Sequence, residues 1–515
     1  MTTQWYIRIM AASTFNPQRV QPMSSPNPGF EQMSDSSLAA SPLASVGFAL
    51  TLLYIVLLVG RTPEITTAFI GSSFYQVLIV TLVLLSLSVI TGLLVKVGSS
   101  RIGATWIAFH LWVAVTLPLS GYRRGSAESA TFLLLYLPAV FFLGGFLIQS
   151  SDRLRKGVWA MAWAGAIGTA WALYTGISAD DDERFSSFGS FSNPNILAIY
   201  LLTIIPFWGY IVRNERYRWA TRLFFAALIG LGMVSVLRTG SRSGMLSLGV
   251  LFLIVFLSTN VAGKLKFTII GALAVVAVMA WMPSTLKSRL GTVFSGEKKD
   301  FVAAGAVGSS ESRYALLVES VETTFKHPIV GVGIGVYAEV NGKEKEGTGE
   351  KILWQVTHNM FTQVSAETGL PGFALYMLAM YFAIRSMWRV LKAARGRPEL
   401  RELGMTASTL LVSLAMTFFN GLFTSMAFEF TIYVLLGFAV ATLFVFEDVV
   451  RRRLDAGSQP SFSPVPRSSR FFPTSVPRLE PVTAPAANEG SVKNADAPWR
   501  RNPRKYPPQL GAPGR

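Results

Sequence analysis

Long, nearly uninterrupted apolar runs recur along the chain, and each is close to the length that crosses a lipid bilayer as a helix. About 20 apolar residues span the hydrocarbon core. Of the 515 residues, 51% are apolar and 15% are charged. The runs therefore predict an all-α polytopic membrane protein rather than a soluble enzyme.

We predict about twelve transmembrane helices, an even number that places both chain termini on one side of the membrane. Their ranges are 43–60, 72–95, 103–120, 130–149, 157–176, 195–212, 219–237, 242–259, 265–282, 365–384, 406–425 and 430–446. The predicted organisation is a polar N-terminal tail (1–42), nine helices (43–282), a large loop containing short helices (283–364), three helices (365–450) and a disordered, basic, proline-rich tail (451–515).

The net charge of +17 would favour nucleic acid as the partner of a soluble chain. Here the cations are concentrated in the short loops on one side and in the C-terminal tail. The positive-inside rule makes that side and both termini cytoplasmic, so the large loop faces the periplasm. We expect the excess charge to meet anionic membrane lipid, not nucleic acid, although the tail is expected to be mainly solvated.

Composition also limits the chemistry of a site. The chain has no cysteine, which excludes disulfides, zinc–thiolate sites and thiol nucleophiles. The carboxylate run Asp180–Glu183 contains the oxygen ligands that magnesium prefers, but adjacent acids on a loop are usually solvated. We therefore predict neither a metal nor a cofactor.

The large loop contains an amphipathic helical pattern that begins at Ser310-Glu-Ser-Arg313, with a serine available as the N-cap. Its apolar residues recur at helical spacing: Tyr314, Leu317, Val318, Val321 and Phe325. We expect this helix to lie on the membrane face and to end at His327-Pro328. The following run, Gly331-Val-Gly333-Ile-Gly335, lacks dinucleotide-binding spacing. It is expected to be a flexible turn, with an anion-cradling backbone as the alternative.

The loop ends at Thr357-His358-Asn359. Thr357 is predicted to cap a helix whose first turn contains His358 and Asn359, and Gly369 with Pro371 is predicted to bend or interrupt it. The positive end of the helix dipole disfavours imidazolium and keeps a neutral base available near pH 7. The alternative is a histidine hydrogen-bonded at the membrane interface, and these residues alone do not decide between the two.

Arg238 and Arg242 lie four residues apart at the outer end of two predicted spans. On one continuous helix they would share a face, but Gly240 makes that continuity doubtful. Both can be arginines that reach the polar interface, or they can form a fork for a diphosphate, whose oxygens guanidinium binds bidentately. Both arginines lie on the side of the membrane that has fewer cationic residues in its loops. This position favours the interpretation as a diphosphate fork.

The span 195–212 is preceded by Asn193-Pro194-Asn195. Asparagine before proline is a typical helix start, with Asn193 as the cap and Pro194 at the first position. Contact of these asparagines with a sugar is the alternative.

Together these segments resemble the O-antigen ligase and O-antigen polymerase family of bacterial membrane glycan transferases. The resemblance covers about residues 190–440 and is carried by their order around one large outer loop. The matching segments are Phe191-Ser-Asn-Pro-Asn195, Thr239-Gly-Ser-Arg242-Ser-Gly244, Arg313, His327-Pro-Ile-Val-Gly-Val-Gly333, His358-Asn359 and Glu367-Thr-Gly-Leu-Pro-Gly372.

The resemblance implies metal-independent transfer of a glycan from undecaprenyl diphosphate to an acceptor hydroxyl, on the periplasmic face of the bacterial cytoplasmic membrane. Carried over motif by motif, it makes His358 the catalytic residue and Arg242 and Arg313 the ligands of the diphosphate. Arg238 is a further candidate for diphosphate binding. The secondary site candidates are Asn359, Asn193, Asn195 and Glu367.

The acceptor stays open. Lipid A-core would make the protein a ligase, a growing glycan would make it a polymerase, and a protein acceptor would make it a protein O-oligosaccharyltransferase. A small-solute transporter of the bicarbonate type is the alternative of another class. It predicts ionisable residues at mid-membrane, of which the sequence offers few, His110 among them and without an evident charged partner.

Overall fold

The computed structural model describes residues 42–61, 77, 80, 81, 83, 84, 90–148, 150–178, 184–187, 189–259, 263–265, 268, 301–346 and 354–458. This part of the chain is mainly helical. Its principal helices are α1 (Pro42–Val59), α2 (Ile90–Ser99), α3 (Arg101–Thr116), α4 (Arg123–Thr131), α5 (Leu137–Leu147), α6 (Ser151–Tyr174), α7 (Pro194–Arg213), α8 (Trp219–Arg238), α9 (Arg242–Ser258), α10 (Phe301–Lys326), α11 (Tyr337–Glu344), α12 (Met360–Ala394), α13 (Arg401–Gly421) and α14 (Phe430–Ser458).

Shorter elements connect some of these helices. Leu117–Leu119 is a 3₁₀ turn after α3, and Phe132–Tyr136 is a π-helical segment between α4 and α5. Gly189–Ser192 precedes α7 and Pro398–Leu400 precedes α13, both as 3₁₀ turns. Between α6 and α7, β1 (Ile177–Ser178) and β2 (Phe185–Ser186) pair antiparallel.

Seven helices in the described part of the chain are long and apolar enough to cross a membrane. They are Arg101–Leu119, Arg123–Phe146, Pro194–Arg213, Trp219–Arg238, Met360–Ala394, Pro398–Gly421 and Phe430–Arg453. The helical class is thereby confirmed, with seven candidate membrane-spanning helices among the described residues. About half of the predicted span 72–95 and nearly all of the span 265–282 fall outside the described residues, and the total of twelve stays a prediction.

Helix ends gather at two opposite ends of the bundle. At one of them Glu402 pairs with Arg155 at 3.6 Å and with Arg216 at 3.4 Å, and Arg401 pairs with Glu215 at 3.0 Å. We call this the cation-rich end. The opposite end, where α6, α8 and α13 finish and α7, α9, α12 and α14 begin, is called the loop end.

Two predicted boundaries are wrong. α10 begins at Phe301, so no serine near Ser310 caps it, because the alanine-rich sequence ahead of that serine continues the helix. It ends at Lys326, as His327-Pro328 predicts. α14 continues through Arg451–Arg453 to Ser458, into the segment predicted to be disordered.

Gly369 interrupts α12 near the loop end, as predicted. Its φ of 70° is non-helical, and Pro371 offers no N–H to the carbonyl of Glu367 four residues earlier. That carbonyl accepts instead from the backbone N–H of Gly333 at 3.1 Å. A second segment of chain therefore supplies the donor that the proline removes, which holds the break in one conformation.

The glycine run 331–335 packs onto this break, and the flexible-turn expectation is wrong. The N–H of Val332 donates to the carbonyl of Ala366 at 2.8 Å, and the N–H of Gly335 donates to Oε2 of Glu367 at 2.7 Å. All three glycines have positive φ, and a Cβ on any of them would collide with a neighbouring residue. These backbone N–H groups already donate to acceptors within the protein. The structure therefore does not support the alternative in which the glycine run binds an anion.

The packing of this break predicts a large cost for Gly369→Ala. Gly369, at φ 70° and ψ 177°, has a conformation that is essentially restricted to glycine, and Gly396 also has a positive φ of 72°, so alanine strains the backbone at both positions. Only at Gly369 would the added Cβ also collide, with the carbonyl of Ile329, whereas nothing lies within 4 Å at Gly396. We expect Gly369→Ala to lower the free energy of unfolding in detergent by about 1–3 kcal/mol more than Gly396→Ala. Equal losses would contradict the packing argument.

Candidate functional site

His358 lies at the loop end with its backbone in the left-handed region. Its φ is 51°, a conformation that costs a residue with a Cβ about 1–3 kcal/mol and clusters at functional sites. Both neighbours are anchored: the hydroxyls of Thr357 and Ser425 are 2.9 Å apart, and Nδ2 of Asn359 donates to the carbonyl of Leu422 at 3.1 Å. These anchors fix the backbone on both sides of the half-buried His358.

Asn359, rather than Thr357, caps α12. Its Oδ1 accepts from the backbone N–H groups of Phe361 at 2.9 Å and Thr362 at 3.1 Å. The prediction was wrong because the Thr357 hydroxyl is used elsewhere, donating to the carbonyl of Asn359 at 2.8 Å. His358 therefore precedes the helix instead of lying in its first turn, and Asn359 has a structural role.

The pKa of His358 is held below its usual range. Burial of the imidazole is the larger cause, and the positive charge of Arg313 adds to it. The predicted cause was the helix dipole, but in the structure the causes are burial and a cation on another helix. A neutral imidazole near pH 7 can accept a proton, which is what a general base requires.

Arg313 reaches this place because α10 packs on α12. Buried hydroxyls of Thr324 on α10 and Ser365 on α12 lie 2.8 Å apart. Glu319, on the same helix, is bound by Lys345 at 2.7 Å and by Nδ2 of Asn341 at 3.2 Å, which fixes α10 to the segment around α11. The fold thus brings together Arg313 and His358, which belong to separate segments of the family resemblance.

Arg238 and Arg242 lie on different helices. Gly240, with φ 59°, ends α8, and Ser241 caps α9, so the two arginines do not share a helical face. Arg238 is exposed, with its guanidinium 5.7 Å from the centre of the Phe185 ring. Arg242 is the half-buried first residue of α9.

Buried polar contacts connect α9 with the turn that carries His358. The Ser247 hydroxyl on α9 donates to Oδ1 of Asn420 on α13 at 2.8 Å. Two residues beyond Asn420 is Leu422, whose carbonyl anchors the turn of His358. Arg242, at the start of α9, is therefore at the same end of neighbouring helices as His358.

Sequence reasoning missed Arg184, which organises this end of the bundle. Its Nε donates to the carbonyl of Thr239 at 2.9 Å, and its Nη2 donates to Oδ1 of Asn195 at 3.5 Å. Asn193 caps α7, as predicted, by accepting from the backbone N–H of Asn195 at 2.9 Å. Both asparagines therefore have structural contacts. The acidic run before Arg184 lies outside the described residues.

Arg61 was also missed. Its Nη1 donates to the Ser190 hydroxyl at 3.1 Å, and its guanidinium lies 4.8 Å from the centre of the Phe430 ring and 3.8 Å from Glu429. A cavity of about 50 Å³ beside it also contacts Ser425 and has room for a few waters. The signal that drew attention to Arg238 and Arg242, a cation on the cation-poor side, applies to Arg61 as well.

Glu367 and His327 lie away from the imidazole of His358. Glu367 is buried at the break of α12, where its carboxylate accepts from the backbone N–H of Gly335. His327 Nε2 lies 3.0 Å from Oε1 of Glu344. The structure thus assigns Glu367 to packing of the glycine run, and the pair at the candidate site is His358 with Arg313.

The fold is that of a helical protein with candidate membrane spans, and it has a candidate site at one end of its bundle, where His358 and arginines lie. Residues 224–377 match the family model described as O-Antigen ligase. The chain therefore contains an O-antigen ligase family domain, which confirms the resemblance over these residues. This segment includes Arg238, Arg242, Arg313 and His358. Comparison with curated proteins gave no match.

Proposed function

We propose that the chain transfers a glycan from undecaprenyl diphosphate to an acceptor hydroxyl at the loop end, on the periplasmic face of a bacterial cytoplasmic membrane. The observation that carries the proposal is a half-buried histidine, held in a strained backbone beside the cation of Arg313. The family domain over residues 224–377 supports the same reaction class.

His358 and the arginines have separate roles in the reaction: the histidine is the base, and the arginines bind the leaving group. His358 takes the proton of the acceptor hydroxyl as its oxygen attacks the anomeric carbon of the donor glycan. The bond from that carbon to the diphosphate oxygen breaks as the new bond forms, which inverts the configuration without a covalent enzyme intermediate. Arg313 and Arg242 bind the departing diphosphate, whose negative charge increases during the step. Arg238, exposed at the same end, is a further ligand for the donor.

A transporter has no comparable support. Its signature would be ionisable groups paired inside the membrane. The histidine within a span, His110, has uncharged partners: Nδ1 lies 2.7 Å from the carbonyl of Trp106, and Nε2 lies 3.0 Å from the Tyr433 hydroxyl. A polymerase or a protein O-oligosaccharyltransferase would use the same site as a ligase with a different acceptor.

Reconstitution in proteoliposomes tests the proposal and identifies the acceptor. The vesicles contain an undecaprenyl-diphosphate glycan and are given lipid A-core, glycan primer or acceptor protein in separate reactions. We expect free undecaprenyl diphosphate to appear together with one glycosylated product, and His358→Ala protein to produce both at least about 10²-fold more slowly. Accumulation of bicarbonate or another solute in these vesicles without glycan transfer would overturn the proposal in favour of a transporter.

A further inference from the structure

The exposed side of α10 carries a row of apolar side chains, and its buried side combines three hydroxyl side chains with Leu316. Four apolar side chains at spacings of four, three and four residues are exposed: Tyr314 by 69%, Val318 by 49%, Val321 by 40% and Phe325 by 71%. We call these four residues the apolar stripe. At 3.6 residues per turn they lie along one side of the helix. A helix in water with this pattern would turn the same side toward the protein core.

The opposite side of α10 packs against the protein with hydroxyl groups. Ser320, Thr323 and Thr324 are buried, and each hydroxyl donates to a backbone carbonyl of its own helix. Thr324 additionally contacts Ser365 on α12. Because these polar groups are satisfied inside the protein, nothing in the packing requires the apolar stripe to point inward. Its exposure indicates an apolar environment outside.

The apolar stripe continues into the surface of a membrane span. Ile329, just after α10, is 67% exposed, and the adjoining carbonyl of Pro328 accepts from the backbone N–H of Leu370 on α12 at 2.8 Å. Leu370 is itself 43% exposed, as is Leu378 further along the same span. The apolar surface therefore extends from the bundle onto α10 beside the break at Gly369. This continuity favours lipid over a second copy of the chain as the occupant.

We propose that the apolar stripe is embedded in the bilayer at the boundary between headgroups and acyl chains, so that α10 is an interfacial membrane-binding helix. Interfacial helices bury an apolar face to a depth of about 5–10 Å in this boundary. Arg313, adjacent to Tyr314, is thereby held at the depth of lipid phosphates. This second step rests on the proposed function, in which Arg313 binds the diphosphate of a lipid-borne donor.

Site-directed spin labelling tests the contact directly, since the chain has no native cysteine to remove. A nitroxide is attached to Phe325→Cys, or to Val318→Cys as a second stripe position, in nanodiscs that hold one copy. Lys326→Cys is the matched control: it is adjacent to Phe325, exposed in its ion pair with Glu322, and turned about 100° round the helix. We expect oxygen to relax the stripe labels more than a water-soluble nickel chelate does, and the control label to show the reverse.

Equal access of the nickel chelate to the stripe and control labels would overturn the proposal. So would strong dipolar coupling between stripe labels in vesicles, which would show a second copy covering the apolar stripe. Neither result depends on glycan transfer, so this failure is distinct from failure of the proposed function. For the link to Arg313, Phe325→Ser is expected to raise the KM for the lipid-linked donor several-fold with kcat preserved. An unchanged KM in protein whose lipid contact is lost would overturn that link.

Discussion

His358→Ala is expected to lower the rate of glycan transfer by about 10²–10⁴-fold, the usual cost of losing a positioned general base. The chain has two other histidines, and neither can replace it. His110 is bound to Trp106 and Tyr433 within a span, and His327 is held by Glu344. The measurement is the transfer rate in proteoliposomes at saturating donor, with the amount of inserted protein determined in parallel.

Two further variants separate the catalytic role from a structural one. His358→Asn keeps a polar side chain, and asparagine tolerates the left-handed backbone better than most residues do, so it should preserve stability while transfer is lost. His327→Ala removes a histidine of the same loop that lies outside the site, and it should retain most of the transfer rate. Full activity of His358→Asn would remove His358 from the mechanism.

Helix spans, helix starts and helix breaks depend mainly on neighbouring residues, and the sequence predicted several of them. The apolar runs located the described spans, Asn193-Pro194 located the start of α7, and Gly369 with Pro371 located the break in α12. The cap of α12 was assigned to the wrong residue, because Thr357 and Asn359 are both good caps and their further contacts, to Ser425 and Leu422, lie 68 and 63 residues away.

The arrangement of the site depends on contacts between distant segments, which a single sequence does not reveal. Arg184 meets Thr239 across 55 residues, and Arg61 meets Ser190 across 129. The glycine run was wrongly predicted to be flexible because its hydrogen-bond partners, on α12 and around Ser120, are far away along the chain. Likewise, the spacing of the apolar stripe predicted an amphipathic helix, but only the fold shows that the stripe is exposed while Ser320, Thr323 and Thr324 are buried.

Arg313→Gln is expected to have two separable effects on transfer. Loss of the guanidinium from the diphosphate should lower the rate by about 10²–10³-fold, as for other groups that stabilise developing charge. It should also move the acidic limb of the pH–rate profile to higher pH. His358 acts as a base only when neutral, and Arg313 lowers its pKa, so removing this cation raises the pKa and protonates the base at a higher pH. The measurement is the transfer rate across the acidic range.

Arg313→Lys and Arg242→Gln distinguish these two effects. Lysine keeps the positive charge near His358 but cannot bind a diphosphate bidentately, so Arg313→Lys should lose rate while its acidic limb stays close to that of the native protein. Arg242→Gln should also lose rate without moving the limb, because the lowered pKa of His358 arises from burial and Arg313. If Arg242→Gln moved the limb as far as Arg313→Gln does, the shift would reflect a general loss of positive charge at the loop end. The specific pairing of His358 with Arg313 would then be wrong.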